Sequence, residues 1–93
     1  MTALKAAVIG TGLISKEHLS FLDQSKQAQL VGVCDLSSAS AQYAAQRYHA
    51  EATYADYRQM LSEAKPDVVH ILTPPHTHKW IAKDCLEAGA HVI

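Results

Sequence analysis

Short apolar runs alternate along this chain with stretches in which apolar residues recur every three or four positions. Lys5-Ala6-Ala7-Val8-Ile9 predicts a strand, ended by Gly10. From Leu13 to about Gln24 the spacing predicts a helix with Ile14, His18, Phe21 and Leu22 on its inner face. Leu30-Val31-Gly32-Val33-Cys34 predicts a second strand, ended by Asp35, and Ser37 or Ser38 is placed to cap the next helix. That helix carries Ala41, Ala44, Ala45 and Tyr48 on one stripe, thin enough to lie close to a sheet. Ala52-Thr53-Tyr54 reads as a short edge strand. Asp56, with Gln59 three residues on, resembles a capping box for a helix that turns Tyr57, Met60, Leu61 and Ala64 inward. Pro66 stops it. Val68 to Leu72 predicts a third long strand, closed by Thr73-Pro74-Pro75. A helix from about Thr77 to Ala88 follows, ended by Gly89, and His91-Val92-Ile93 begins one more strand.

The strands are continuously apolar, so both of their faces should be covered, and each is followed by a helix of crossover length. This order predicts an α/β fold: a Rossmann-type parallel sheet with helices on both faces, incomplete at its last strand. With 93 residues the chain is read as one domain, 1–93.

Composition narrows the function. The formal net charge is -1, from 8 basic and 9 acidic residues, so no general basic field attracts nucleic acid and no polybasic run suits an anionic membrane. No apolar stretch approaches the roughly 20 residues of a membrane helix, and no signal-peptide core precedes the first strand. Cys34 and Cys85 are far apart and read as reduced thiols, so a cytoplasmic location is expected.

Gly10-Thr11-Gly12-Leu13-Ile14-Ser15 lies between the first strand and the first helix. In that place Gly10 permits the tight turn and Gly12 lets the backbone approach a pyrophosphate. The N–H groups at the start of the helix face the anion. Ser15 occupies the third position of the fingerprint, where a small residue allows close helix–strand packing. Asp35 stands 20 residues beyond Ser15, where a carboxylate accepts hydrogen bonds from the adenosine ribose. Its charge opposes a 2′-phosphate and Leu36 is not basic, which favours NAD over NADP. Ser37 and Ser38 remain available as donors to a phosphate. A plain glycine-rich turn and an ordinary strand-end aspartate are the structural alternatives.

Thr73-Pro74-Pro75-His76-Thr77-His78 follows the third long strand, which should lie beside the first across the topological switch point. The prolines stiffen a wall of the cofactor crevice. Thr73 is placed to bond the cofactor, and His78 to face its phosphates or the nicotinamide ribose. The spacing of His76 and His78 suggests a metal, but no further ligand follows at metal-like spacing, so none is expected. His70 and His18 read as core histidines, His76 as exposed, and Cys34 and Cys85 as small buried apolar side chains. Trp80 lies off the apolar stripe of its helix.

Lys5 to Ile93 resembles the N-terminal nucleotide-binding domain of the glucose–fructose oxidoreductase / inositol dehydrogenase / rhizopine catabolism (Gfo/Idh/MocA) family. The matching residues are Gly10-Thr11-Gly12, Asp35, Tyr54-Ala55-Asp56-Tyr57, Asp67-Val68-Val69, Thr73-Pro74-Pro75 with His78, and Ala88-Gly89-Ala90-His91-Val92. The resemblance implies binding of NAD or NADP and a role in oxidising or reducing sugars, polyols and related small molecules. Ala90 stands where the family often has lysine, and Pro75 where many members have asparagine. It further implies a following Glu-Lys-Pro segment and a second α/β domain that carries an acid–base histidine and the substrate pocket. No residue of this sequence matches the family's catalytic lysine or histidine, and Lys79 and Lys83 lie on the helix before the last strand. No catalytic residue is therefore named. A truncated dinucleotide-binding domain is expected to bind nucleotide weakly, to take its small-molecule substrate only with the further domain, and to self-associate through exposed edges. A non-catalytic nucleotide-binding module and a structural remnant of the fold remain open alternatives.

Overall fold

The computed structural model describes residues 3–12 and 15–93. Among them run β1 (Leu4–Ile9), α1 (Ser15–Gln24), β2 (Ala28–Cys34), α2 (Ser38–Tyr48), β3 (Thr53–Tyr54), α3 (Tyr57–Ala64), β4 (Val68–Ile71), α4 (Pro75–Glu87) and β5 (His91–Val92). The five strands form one parallel sheet in the order β3-β2-β1-β4-β5. This is the doubly wound α/β topology that the strand pattern predicts.

Both sheet faces are covered, as continuous apolar strands require. Ala6 and Val8 of β1 pack with Leu30, Val33, Leu19 and Leu22 of α1, and Ala41 and Ala44 of α2. Ala7 and Ile9, one residue out of phase, pack on the opposite face with Met60 and Leu61 of α3 and Ile81 and Cys85 of α4. The β1–β2 register slips by one between Ala6 and Ala7, where Leu30 pairs with Ala6 and Gly32 with Ala7. This β-bulge leaves Val31 as the extra residue. A Cβ on Gly32 would meet Met60 Sδ and Tyr54 Cε2 at 3.1 Å, so the missing side chain lets α3 sit down on the sheet.

The helix boundaries follow local chemistry. Ser37 caps α2, its Oγ accepting from Ser40 N at 3.2 Å. Asp56 caps α3, accepting from Arg58 N at 2.9 Å. The reciprocal half of the predicted capping box is not made, because Gln59 donates to Glu63 one turn on. Lys65 closes α3 at φ 47°, ahead of the buried Pro66. Gly89, at φ 90°, ends α4.

Three expectations need correction. The inner face of α1 is Ser15, Leu19 and Leu22, the i, i+4, i+7 stripe, whereas Phe21 is 69% exposed. The helical repeat places Phe21 nearly opposite Leu19. The final helix begins at Pro75, two residues before the predicted Thr77. Proline suits the first helical position, where its missing N–H has no intrahelical partner. The third long strand ends at Ile71, not Leu72. The predicted helix start at Leu13 and inward Ile14 lie outside the described residues.

Candidate functional site

The sheet order places β1 between β2 and β4, so the loops after β1 and β4 leave in opposite directions and open a crevice at the carboxyl edge. Gly10 sits at its floor. Its N–H donates to Cys34 O at 2.8 Å, and Leu72 N donates to Ile9 O at 2.8 Å. The residue has φ 99°, and a Cβ there would lie 3.0 Å from the Leu72 carbonyl carbon. Glycine is required by both conformation and contact. Gly12 differs: among the described residues, no atom beyond its chain neighbours lies within 4 Å of a Cβ built there. None of them crowds that position, which leaves its backbone open to a group from outside. Ser15 is buried, and its N and Oγ both donate to Gly12 O, at 3.0 and 2.5 Å, fixing the first turn of α1 against the glycine turn.

Asp35 is held at the tip of β2 by three donors. Oδ2 accepts from Thr11 N at 2.9 Å and from Thr11 Oγ1 at 2.7 Å, and Oδ1 accepts from Ser37 N at 2.8 Å. Partial burial opposes its ionisation. The hydrogen bonds from Ser37 and Thr11 outweigh that opposition and hold the carboxyl below its ordinary value of 3.8. Asp35 is therefore an ionised acceptor at neutral pH. A carboxylate offers about four lone-pair positions; after these three bonds, one on Oδ1 remains for a ligand hydroxyl.

Across the crevice, Thr73 Oγ1 lies 2.7 Å from Thr77 Oγ1, and Thr77 Oγ1 donates to Pro74 O at 2.7 Å. His78 Nε2 donates back to Thr73 O at 2.5 Å. Thr73 and His78 thus stiffen the loop they belong to. Between the two walls lies a cleft of about 490 Å³. Of the predicted residues, Gly10, Asp35, Thr73 and Pro74 line it, while Pro75 and His78 do not. Thr11 reaches it through Asp35, and Leu13 and Ile14 lie outside the described residues.

Sequence reasoning missed most of the apolar lining. Leu36, 95% exposed, forms one lip, Ala55 and Tyr57 line the cleft from the end of β3 and the start of α3, and Thr77 and Ile81 line it from α4. Only adjacency to Asp35 marked Leu36 in the sequence, whereas Tyr57 was marked by its inward place on its helix and by the run Tyr54-Ala55-Asp56-Tyr57, though not as part of a cleft. His76, predicted to be exposed, is exposed and also lines the cleft. Tyr57 donates its hydroxyl to Asp84, and Arg58 Nη2 lies 3.5 Å from the same carboxylate oxygen. Burial, with Asp84 as acceptor and charge, pushes the Tyr57 phenol up to about 12. Cys34 lines the floor as a buried thiol, pushed up to about 11 by burial and then by Asp35 and Asp56. His18 and His70, read as separate core residues, bond each other with Nδ1 atoms 2.9 Å apart. Among the described residues, no three histidine, cysteine or acidic side chains gather as a metal set, and no helix is long and apolar enough to cross a membrane.

The arrangement combines an open backbone turn at a helix start, an ionised acceptor at the next strand end and an apolar slot beside it. Its chemistry suits a ligand with a phosphate, a hydroxylated sugar and a flat apolar ring. Comparison with known proteins agrees. The family model GFO_IDH_MocA, described as an oxidoreductase family with an NAD-binding Rossmann fold, matches residues 4–93. An inositol 2-dehydrogenase of Salmonella paratyphi B is 33% identical over 92 residues, which cover 97% of this chain and 27% of that protein. The solved scyllo-inositol dehydrogenase of Lactobacillus casei with bound NAD(H) and scyllo-inositol superposes with a TM-score of 0.91 at 25% identity, covering 98% of this chain and 27% of that one. The WlbA dehydrogenase of Bordetella pertussis with NADH and UDP-GlcNAcA gives 0.90 at 29% identity, covering 98% and 28%. The chain spans about a quarter of the length of these relatives.

Proposed function

The chain belongs to the GFO_IDH_MocA oxidoreductase family, and from that premise we propose that it is the nucleotide-binding portion of an NAD-dependent oxidoreductase acting on a sugar, polyol or related small molecule. The observation that carries this reading is Asp35, ionised at the tip of β2 and bonded to the glycine turn whose Gly12 is left open. Gly10, Thr11 and Gly12 form the phosphate-facing turn ahead of Ser15, the first described residue of α1. Asp35 offers its remaining lone pair to the adenosine ribose and opposes a 2′-phosphate, so NAD is preferred over NADP. Leu36, Tyr57 and Pro74 give the adenine an apolar slot. Thr73 and Pro74 make the stiff wall, with Pro75 starting α4 behind them and His78 bracing the Thr73 carbonyl. When bound, the nicotinamide exchanges a hydride with a carbon bearing a hydroxyl or carbonyl group. This chain's residues hold and orient the cofactor. The small-molecule substrate would be taken together with a further domain.

Two further readings attach to it. Exposed Leu4, Phe21, Leu86 and Ile93, and an edge strand β5 of two residues, support self-association of the 93-residue chain. The free, buried Cys34 and Cys85 support a cytoplasmic location. Fluorescence titration tests the main reading. Saturable NADH binding, weaker for NADPH and lost in Asp35→Ala, is expected. No saturable binding of either cofactor would overturn it. Sedimentation at rising concentration tests association, and a concentration-independent monomer refutes it.

A further inference from the structure

His18 and His70 take no part in the cleft, yet they join its principal helix to the sheet. His18 lies on α1 and His70 on β4, with ring centroids 5.2 Å apart, planes at 80° and Nδ1 atoms at 2.9 Å. His70 is buried on the sheet face that carries α1, with Val8 of β1 as its register partner. We propose that this pair is a proton-sensitive clasp between α1 and β4, which holds with one proton or none added and opens when both rings are charged, weakening dinucleotide binding.

The chemistry sets the rule. In the neutral pair one Nδ1–H donates to the lone pair of the other Nδ1. A first added proton makes an imidazolium–imidazole pair and strengthens that bond. A second leaves two N–H groups facing each other across 2.9 Å with like charges and no acceptor between them. Among the described residues, no carboxylate pairs with either ring. From β1 the neighbour is Val8, and the exposed Lys5 lies further back on that strand. From β5, His91 stands opposite Val68 and Val92 opposite Val69, with Ile93 O accepting from Ile71 N. On α1, Lys16 and Glu17 are exposed, and Asp23 is turned to His49 beyond α2. Burial first, and the charge of His18 second, hold His70 below its ordinary 6.5.

The sign follows. A histidine with a lowered folded value contributes stability that is present above 6.5 and lost as pH falls through that lowered value. The link to the cofactor is one helical turn long. His18 follows Ser15 by three residues, and Ser15 ties the start of α1 to Gly12. Loosening α1 from β4 therefore loosens the phosphate-facing turn. That link rests on the proposed cofactor site, whereas the clasp itself does not.

Two readouts on the 93-residue chain test the idea. Imidazole nitrogen NMR from about pH 8 to about pH 5 follows both rings directly. Two coupled steps are expected, the second below 6.5, and in His18→Asn the His70 step should move upward. NADH titration should show affinity falling about tenfold on acidification in the parent chain and showing no fall in His18→Asn. Charging His76 or His78 near the cleft would strengthen phosphate binding, the opposite sign. Independent, unshifted titration of the two rings overturns the clasp. Coupled rings with pH-independent NADH affinity overturn its link to the cofactor. Coupled rings with no NADH binding at any pH support the clasp and overturn the cofactor reading instead.

Discussion

Thr11 donates twice to a single oxygen of Asp35, from its N–H at 2.9 Å and from its hydroxyl at 2.7 Å. The turn after β1 and the tip of β2 are thereby locked into one unit before any ligand arrives. The carboxylate is oriented, ionised and left with one acceptor position.

This lock makes Asp35 a stability element as well as a ligand. Its folded value is lowered, so its contribution is present above the ordinary 3.8 and is lost as pH falls through the folded value. Asp35→Asn places an amide where donors converge. The unfolding free energy from urea titration should drop by about 1 kcal/mol near neutrality, and the difference from the parent should shrink in acid. An undiminished gap at low pH would contradict the assignment. NADH should bind Asp35→Asn more weakly, and the NADPH-to-NADH preference should rise.

Gly10 and Gly12 should separate stability from binding. Gly10→Ala forces a Cβ to 3.0 Å from the Leu72 backbone at φ 99°, and should cost about 1–3 kcal/mol or more in chemical unfolding. Gly12→Ala points a methyl into open space. It should leave the midpoint almost unmoved while NADH affinity falls. Equal loss of stability in both would refute the division.

Tyr57 bridges α3 to α4 through Asp84. With the phenol pushed up to about 12, the protonated form is favoured in the folded state. Its contribution is present below the ordinary 10 and is lost as pH rises toward about 12. Tyr57→Phe should cost about 1 kcal/mol at neutral pH. Ultraviolet titration should show one tyrosine ionising later than the rest, and that late step should vanish in the variant.

Cys34 and Cys85 are both pushed up to about 11, chiefly by burial. A disulfide reagent at mildly alkaline pH should react slowly with the native chain and fast in urea, since only the thiolate attacks. NADH should slow Cys34 further, because that thiol lines the cleft. Rapid native labelling of two thiols would show that the core is not packed as described.

Much of this protein was legible in its local chemistry. Continuous apolar strands dictated a parallel sheet covered on both faces. Ser37, Asp56, Pro66 and Gly89 marked helix ends because caps and breakers act within a few residues. The glycine turn and Asp35 marked the crevice, since their spacing follows from one βαβ unit. Three things needed the tertiary structure. The inner face of α1 turned on which of its sides met β1 and β4, which left Phe21 outside and Leu19 within. The lining of the cleft by Leu36, Tyr57 and Ile81 joined residues from separate helices and loops. The partners of Thr11, Tyr57 and His70 lie 24, 27 and 52 residues away along the chain. Hydrogen bonds of that span have no periodic trace in a sequence, because closure of the sheet alone brings their ends together.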